Sequence, residues 1–367
     1  MTMKIGTVYI RKIVFISVLL AFVLLLSGCS HDDAVYRGEG LLTLHYLDVG
    51  QSDCTFVEVG GEYTLMIDAT DADHADEVCR YVRALGYDSI DMLVLTHPHS
   101  DHIGGAADII DELDVSCVYM TSYEGVGEEY TGLILGIEEN PIETKVARRG
   151  VEFSLGGLLG SFLSPTGKRH DDENDLSAIL KLSYGEENFL FMGDAGSPVE
   201  SELLDDGADL AASVVKAGHH GAASASTSEF IESTGAGYVI FSCGLDNGYG
   251  HPSPYTVYRW EERGAKTFRT DLDSTVIAAT DGRGLLCARL SDSEFWQSYS
   301  DIPSDTQASV KRPSTRCRYV LDTDAHVIHK PSCPYWKKLS SDEYERSTAE
   351  LGALYDEGYR ECDYCFN

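Results

Sequence analysis

Between Leu95 and Gly104 the chain reads Thr96-His97-Pro98-His99-Ser100-Asp101-His102-Ile103, so three imidazoles and one carboxylate fall within six positions. Neutral imidazole nitrogen and carboxylate oxygen are the ligands that divalent zinc, manganese or iron accept where water is activated. Alternate residues of an extended segment project to the same side. His97 and His99 can therefore converge on one ion, with Pro98 stiffening the backbone between them. Asp101 and His102 are neighbours, project differently, and could serve a second ion. The apolar run Met92-Leu93-Val94-Leu95 before the cluster and Gly104-Gly105 after it set these residues where a buried-type strand stops.

A metal centre of this kind draws its ligands from several strand ends, the positions where active-site residues collect in α/β folds. Asp68 closes Leu65-Met66-Ile67, Asp194 follows Phe189-Leu190-Phe191-Met192-Gly193, and His219 follows Val214-Val215-Lys216-Ala217-Gly218, with His220 next to it. Apolar runs bounded by turn residues predict strands at 41–47, 54–59, 63–67, 90–95, 178–182, 188–192, 214–216, 238–242, 266–269 and 275–279. Helical spacing predicts a helix at 73–85, where Val78, Tyr81, Val82 and Leu85 share a face and Gly86 ends it, and others at 106–113 and 254–263. Strands and helices alternate loosely, with hairpins mixed in, over residues 41–290. A layered α/β domain fits this better than a bundle or an all-β sandwich.

A chain of 367 residues has room for one large or two ordinary domains plus extras. Hydrophobic content of 43% and aromatic content of 10% describe a globular core and not a disordered chain. The 60 acidic residues against 28 basic give a formal net charge of −32, which argues against an extended nucleic-acid footprint built on Lys and Arg. A metal-centred site can still draw in one phosphate locally. Solubility and self-repulsion at the surface are explanation enough for the charge.

Lys4, Arg11 and Lys12 precede the apolar run Ile13 to Leu26. A basic segment, a short apolar run and small residues read as a secretory signal at 1–28, and the run is too short for a comfortable membrane span. The ending Leu26-Ser27-Gly28-Cys29 resembles the bacterial lipoprotein lipobox, which implies lipidation of Cys29. A short tether at 29–40 would follow. An uncleaved N-terminal anchor is the alternative, and either way the body lies outside the cytoplasm of a bacterium, held at a membrane. Of the ten cysteines, Cys54, Cys79, Cys117, Cys243 and Cys287 sit in strand-like or helical contexts and read as buried apolar thiols. Residues 291–316, rich in Ser, Asp and Pro, read as a linker.

The motifs together resemble the metallo-β-lactamase fold superfamily, an αββα sandwich with a His-x-His-x-Asp-His signature. Within it they resemble the extracytoplasmic domain of ComEC-type competence proteins. The likeness is carried by Leu47-Asp48-Val49-Gly50-Gln51-Ser52-Asp53, Met66-Ile67-Asp68, Leu95 to Gly105, Asn174-Asp175-Leu176-Ser177, Phe191-Met192-Gly193-Asp194 and Lys216-Ala217-Gly218-His219-His220-Gly221. Gly250-His251-Pro252 and Arg269-Thr270-Asp271 extend it, so that it covers residues 41–290. It implies two divalent metals, zinc or manganese. His97 and His99 would hold the first, and Asp101 and His102 the second with one of the pair His219-His220. Asp194 would bridge the ions, while Asp68 and Asn174 would support the ligands from behind. His219, first after its strand, is the favoured ligand; His220 would then face the substrate or a metal-bound water. Asp101 would steer the attacking water, and His251 either reaches the substrate or is a loop residue. Metallo-β-lactamase hydrolases often carry a further His before the bridging Asp, and the one candidate here, His170, lies in the polar run Lys168 to Glu173. Ser52 and Ala222 stand where the family usually has Gly and Ser.

The segment 317–367 holds His329, Cys333, Cys362 and Cys365, a His-x3-Cys and a Cys-x2-Cys half-site. Four such ligands make a closed structural zinc site in a module too small for a core of its own. Disulfides are the competing reading in an oxidising compartment, and Cys317 lies close enough to substitute. The segment resembles the Ada-type metal-binding modules appended to extracellular nucleases. The expectation for the whole chain is a metal-dependent hydrolase, cleaving phosphodiesters of extracellular DNA or RNA. The alternatives are a hydrolase of a small ester, lactone or phosphoester, and a non-catalytic, surface-tethered binding protein with a degenerate site.

Overall fold

The computed structural model describes residues 40–292, 319–329, 344–347, 351–356 and 358–362. Cys29 with its signal segment, nearly all of the tether, most of the linker, Cys317, Cys333 and Cys365 lie outside the described residues. Two mixed sheets form the body. The first has eight strands in the spatial order Leu285–Arg289, Val276–Thr280, Leu42–Tyr46, Thr55–Val59, Tyr63–Ile67, Met92–Leu95, Cys117–Met120 and Glu143–Val146. The second has seven, in the order Lys266–Arg269, Tyr238–Phe241, Val214–Lys216, Glu187–Phe191, Leu180–Tyr184, Leu158–Phe162 and Glu152–Leu155.

Side-chain alternation explains why the sheets face each other. Leu42, Leu44 and Tyr46 join Phe189, Phe191, Val214 and Ile240 in one buried core drawn from both sheets. The intervening Leu190, Val215, Val239 and Phe241 point the other way, against Val199, Leu203, Phe230 and Trp260 of the helices Ser197–Asp205, Ser228–Thr234 and Pro254–Glu262. On the opposite face of the first sheet, His45 Nδ1 lies 2.8 Å from the Tyr81 hydroxyl of the helix Ala75–Ala84. The helices Ala106–Glu112 and Glu128–Glu139 complete that outer layer, burying Ile109, Ile110 and Leu133. The architecture is αββα.

Each sheet is antiparallel on one side and parallel on the other. Tyr63–Ile67, Met92–Leu95, Cys117–Met120 and Glu143–Val146 run parallel in the first sheet. Glu187–Phe191, Val214–Lys216, Tyr238–Phe241 and Lys266–Arg269 do so in the second. Parallel strands end at a common edge, so the loops that leave them collect there. Asp68, His97, Asp194, His219 and Cys243 all follow the carboxyl ends of these strands.

The C-terminal segment forms its own four-stranded sheet in the order Tyr344–Ser347, Tyr319–Asp322, Val327–His329 and Arg360–Glu361, with Leu321, Ile328 and Leu354 buried. Ile328 pairs with Glu361 in parallel register, and the buried residues His329 and Cys362 follow them directly. Among the described residues no helix is long and apolar enough to cross a membrane.

Candidate metal centre

The turn after Met92–Leu95 is held from three directions. Asp53 N–H donates to the Asp101 carbonyl at 3.0 Å, Ala69 N–H to the His102 carbonyl at 2.7 Å, and Asp68 N–H to the Val94 carbonyl at 2.8 Å. Gly104 lets the chain approach this closely: a Cβ there would lie 2.4 Å from the Ser100 carbonyl oxygen and 2.9 Å from the Ala72 nitrogen.

Each imidazole in the cluster has one nitrogen fixed by a partner, which turns the other toward a common centre. His102 Nδ1–H donates to Asp68 at 2.8 Å, and Asp68 is itself held by the Thr96 hydroxyl at 2.9 Å and the Thr96 N–H at 2.8 Å. His220 Nδ1–H donates to the Ser242 carbonyl at 2.9 Å. His97 Nδ1 lies 3.2 Å from the Thr96 hydroxyl, and His99 Nε2 lies 3.2 Å from Glu173 Oε2. The nitrogens left over are His102 Nε2, His220 Nε2, His97 Nε2 and His99 Nδ1. The last two stand 3.1 Å apart, a spacing that two ligands of one ion share.

Asp101, His102, Asp194 and His220 each offer a ligand atom within 4.8 Å of the others. His102 Nε2 is 3.2 Å from Asp194 Oδ1, and His220 Nε2 is 3.1 Å from Asp101 Oδ2 and 3.6 Å from Asp194 Oδ2. His102 Nε2 and Asp194 Oδ1 are buried with no hydrogen-bond partner. Orphaned buried polar atoms are rare in folded proteins, and a cation between them would satisfy both. The donor set therefore fits a divalent metal.

The electrostatics agree. Burial opposes ionisation of Asp101 and Asp194, yet both carboxyls are held below the ordinary carboxylate range, Asp101 by the hydrogen bond from His220 and the charge of His102, Asp194 by the charges of His220 and His102. Burial likewise opposes charging of His102 and His220, but Asp194 outweighs it, with Asp68 at His102 and Asp53 at His220, and raises both imidazoles. Carboxylates that stay ionised in a buried cleft call for positive charge, which a proton or a metal ion can supply. His97 is pushed down by burial and by His102, which leaves it neutral and available as a ligand.

Residues 47–244, just over half of the chain, match the family described as Metallo-beta-lactamase superfamily. The chain belongs to the metallo-β-lactamase superfamily. It is 28% identical over 279 residues to competence protein ComA of Neisseria gonorrhoeae, covering 75% of this chain and 38% of that protein. It is 25% identical over 196 residues to ComE operon protein 3 of Bacillus subtilis, covering 53% of this chain and 25% of that one. The chain thus spans well under half the length of either relative. Among solved structures it is similar to the metallo-β-lactamase fold protein YhfI of Bacillus subtilis, at 10% identity and a TM-score of 0.46 over 65% of this chain and 100% of that one.

In this metallo-β-lactamase chain the geometry ranks the pair His219-His220 opposite to the sequence reading. His220 is buried inside the ligand cluster. His219 stands at the rim, with 29% of its side chain exposed and Nε2 3.8 Å from Asp194 Oδ2. Both have left-handed φ, 49° and 52°, a strained conformation at which the strand end turns sharply. The ring of His251 meets that of His219 edge-on at 5.4 Å, also at the rim. Asn174 lies in the turn Glu173–Leu176, its Oδ1 buried without a partner, and the Ser177 hydroxyl next to it accepts from Asp194 N–H at 3.0 Å. His170 is turned away from the cluster: its Nε2 meets Glu202 Oε2 at 3.1 Å.

Three participants carried no sequence signal as site residues. Glu173 anchors His99, as described. Asp53 and Lys216 form a buried ion pair behind the ligands, with Asp53 Oδ1 3.6 Å from His220 Nδ1 and Lys216 Nζ 3.5 Å from the Gly193 carbonyl. Both lie inside motifs that the sequence does single out, Leu47 to Asp53 and Lys216 to Gly221. Only their pairing was hidden.

Proposed function

We propose that this chain is a metal-dependent hydrolase that cleaves phosphodiester bonds of nucleic acid, acting outside the cytoplasm from a lipid anchor on Cys29. The observation that carries the hydrolase reading is the convergence of Asp101, His102, Asp194 and His220, with His102 Nε2 and Asp194 Oδ1 buried 3.2 Å apart and making no hydrogen bond. In this reading His97 Nε2 and His99 Nδ1 hold one cation. Asp101, His102 and His220 would hold a second, with Asp194 available to either. Zinc or manganese bound there would supply Lewis acidity and lower the pKa of a water. Asp101, partly exposed beside His220, would help to orient that water. Asp68, the Ser242 carbonyl and Glu173 keep the imidazoles in the productive tautomer. His219 and His251, at the rim, are placed to meet the substrate.

The nucleic-acid part is supported by the likeness to a protein named competence protein ComA and to ComE operon protein 3, and it rests on that likeness alone. A small ester, lactone or phosphoester substrate is the second reading, favoured by the net charge of −32. A non-catalytic tethered binding protein is the third. For the C-terminal segment we propose a structural zinc on His329, Cys333, Cys362 and Cys365. Its support is the parallel register that sets His329 beside Cys362.

The test uses the purified chain with manganese or zinc. We expect cleavage of single-stranded DNA or RNA that a chelator abolishes and that Asp101→Ala lowers at least about a hundredfold. Turnover of a generic ester with no action on nucleic acid would favour the second reading. Elemental analysis that finds no metal would sink both enzyme readings; about three metals per chain is the expected content.

A further inference from the structure

The loop Gly244 to His251 runs along the rim of the centre and is built rigidly. The Asn247 side chain donates to the Gly244 carbonyl at 2.8 Å and to the His251 carbonyl at 2.5 Å, and it accepts from His251 N–H at 3.0 Å. Gly244 N–H donates to the Gln51 side chain at 3.0 Å, which fastens the loop to the other half of the sandwich. On this frame Tyr249 stands 75% exposed, with its ring stacked on that of His251 at 6.0 Å and 21°. His251 in turn meets His219 edge-on at 5.4 Å, and His219 Nε2 lies 3.8 Å from Asp194. Three rings thus step from solvent to the ligand cluster. His251 Nδ1, at the middle step, is buried with no hydrogen-bond partner.

A large aromatic face left in water by a braced loop is a surface whose ordering is already complete, so a flat partner binds it with little further loss of entropy. The electrostatics decide which partner. With a net charge of −32 the chain repels a phosphate backbone, and Arg269, opposite Phe241 on the strand that leads into this loop, is already tied to Asp271 by two bonds of 3.0 and 2.6 Å. Stacking of a base on an aromatic ring is indifferent to that charge, because every base has a π-face.

We propose that Tyr249 is a stacking platform for an unpaired nucleobase next to the scissile phosphodiester, so that this enzyme grips a single strand by its bases and not by its phosphates. This rests on the nucleic-acid reading above. It resolves the conflict between an acidic surface and a polyanionic substrate, and it assigns the strand preference to unpaired bases.

The test compares the metal-loaded full chain with Tyr249→Ala and Tyr249→Trp. Two substrates are used: a single-stranded oligonucleotide, and a strand of the same length made of abasic sugars. Tyr249→Ala is expected to lose about tenfold more kcat/KM on the base-bearing strand than on the abasic one, chiefly through KM, and Tyr249→Trp to restore it. Anisotropy of a labelled oligonucleotide on the Asp101→Ala variant, with and without Tyr249→Ala, reads binding without cleavage. It should weaken by a similar factor. Raising salt from about 50 to 200 mM should change affinity by less than tenfold, against the 10³ or more expected of a phosphate-gripping protein. Equal losses on both strands with normal cleavage would overturn the platform and leave the nuclease reading standing. If the chain with Tyr249 intact neither cuts nor binds either strand, the nuclease reading falls and the platform falls with it.

Discussion

At the scale of single residues, the centre is a problem of aiming nitrogen lone pairs. An imidazole binds a metal through one nitrogen, and the hydrogen bond on the other decides which. His102 and His220 are pinned through Nδ1 by acceptors inside the protein, Asp68 and the Ser242 carbonyl. His99 is pinned through Nε2 by Glu173, whose side chain is 66% exposed. An exposed anchor holds less firmly than a buried one, so the cation proposed for His97 and His99 would depend on a contact that water can contest. Glu173→Ala is accordingly expected to weaken that cation about tenfold while leaving the second in place. Competitive chelation followed by metal analysis would read this, and equal loss of both cations would contradict it. The sequence marked His97, His99, Asp101 and His102 because four ligand types crowd into one turn. It carried no mark on Glu173, since an acid in a polar run looks like any solvated surface residue.

At the scale of elements, Asp53 and Lys216 link the two sheets. Asp53 belongs to the turn after Leu42–Tyr46 and Lys216 to the end of Val214–Lys216, and each is almost wholly buried. Removing one member of such a pair leaves the other charge stranded in a low-dielectric interior, at a cost of about 3–5 kcal/mol. Lys216→Met should therefore destabilise strongly, and adding Asp53→Asn should recover much of the loss. Urea unfolding of the two single variants and the double would show it, with additive losses as the contrary result. Strands and helices built on regular patterns are legible: the helix Ala75–Ala84 in its face of Val78, Tyr81 and Val82, and the hairpin of Leu180–Tyr184 with Glu187–Phe191 in the apolar runs at 178–182 and 188–192. The stretch from Cys117 to Phe162 was not. The strand Glu143–Val146, which ends the first sheet, exposes Glu143, Thr144 and Val146, so it offers no apolar period to detect. The helix Glu128–Glu139 buries only Leu133 and Gly136, too little to leave a face in the sequence.

At the scale of the whole molecule, the buried thiols give a stability profile with a definite sign. Burial pushes Cys79, Cys243 and Cys287 up to about 12, whereas unfolded thiols titrate near 8.5. The folded chain therefore keeps these protons over a range in which the unfolded chain releases them. Their contribution is fully present below about pH 8.5 and is lost as pH rises from there toward 12. We expect Tm, measured under reducing conditions, to fall progressively across that window, with a shallower fall when the three are replaced by Ala. An unchanged slope in the replaced protein would contradict this. The same protonation keeps the native thiols slow toward alkylating reagents at pH 8.

The sequence alone determined the chemistry on offer: which side chains can bind a divalent cation, and that they sit where apolar strands stop. Those facts are local, because ligand type and hydrophobic period are written in neighbouring residues. Only the tertiary structure sets His220 inside the cluster and His219 at its rim, although they share a motif and follow one another in a strained turn. Only it paired Asp53 with Lys216, separated by 163 positions, and set Glu173 on a histidine 74 positions away. Such contacts depend on how two sheets pack against each other, and no spacing along one chain encodes that. The cluster from His97 to His102 is half of a candidate ligand set as sequence. The second sheet brings Asp194 and His220 to it across the sandwich.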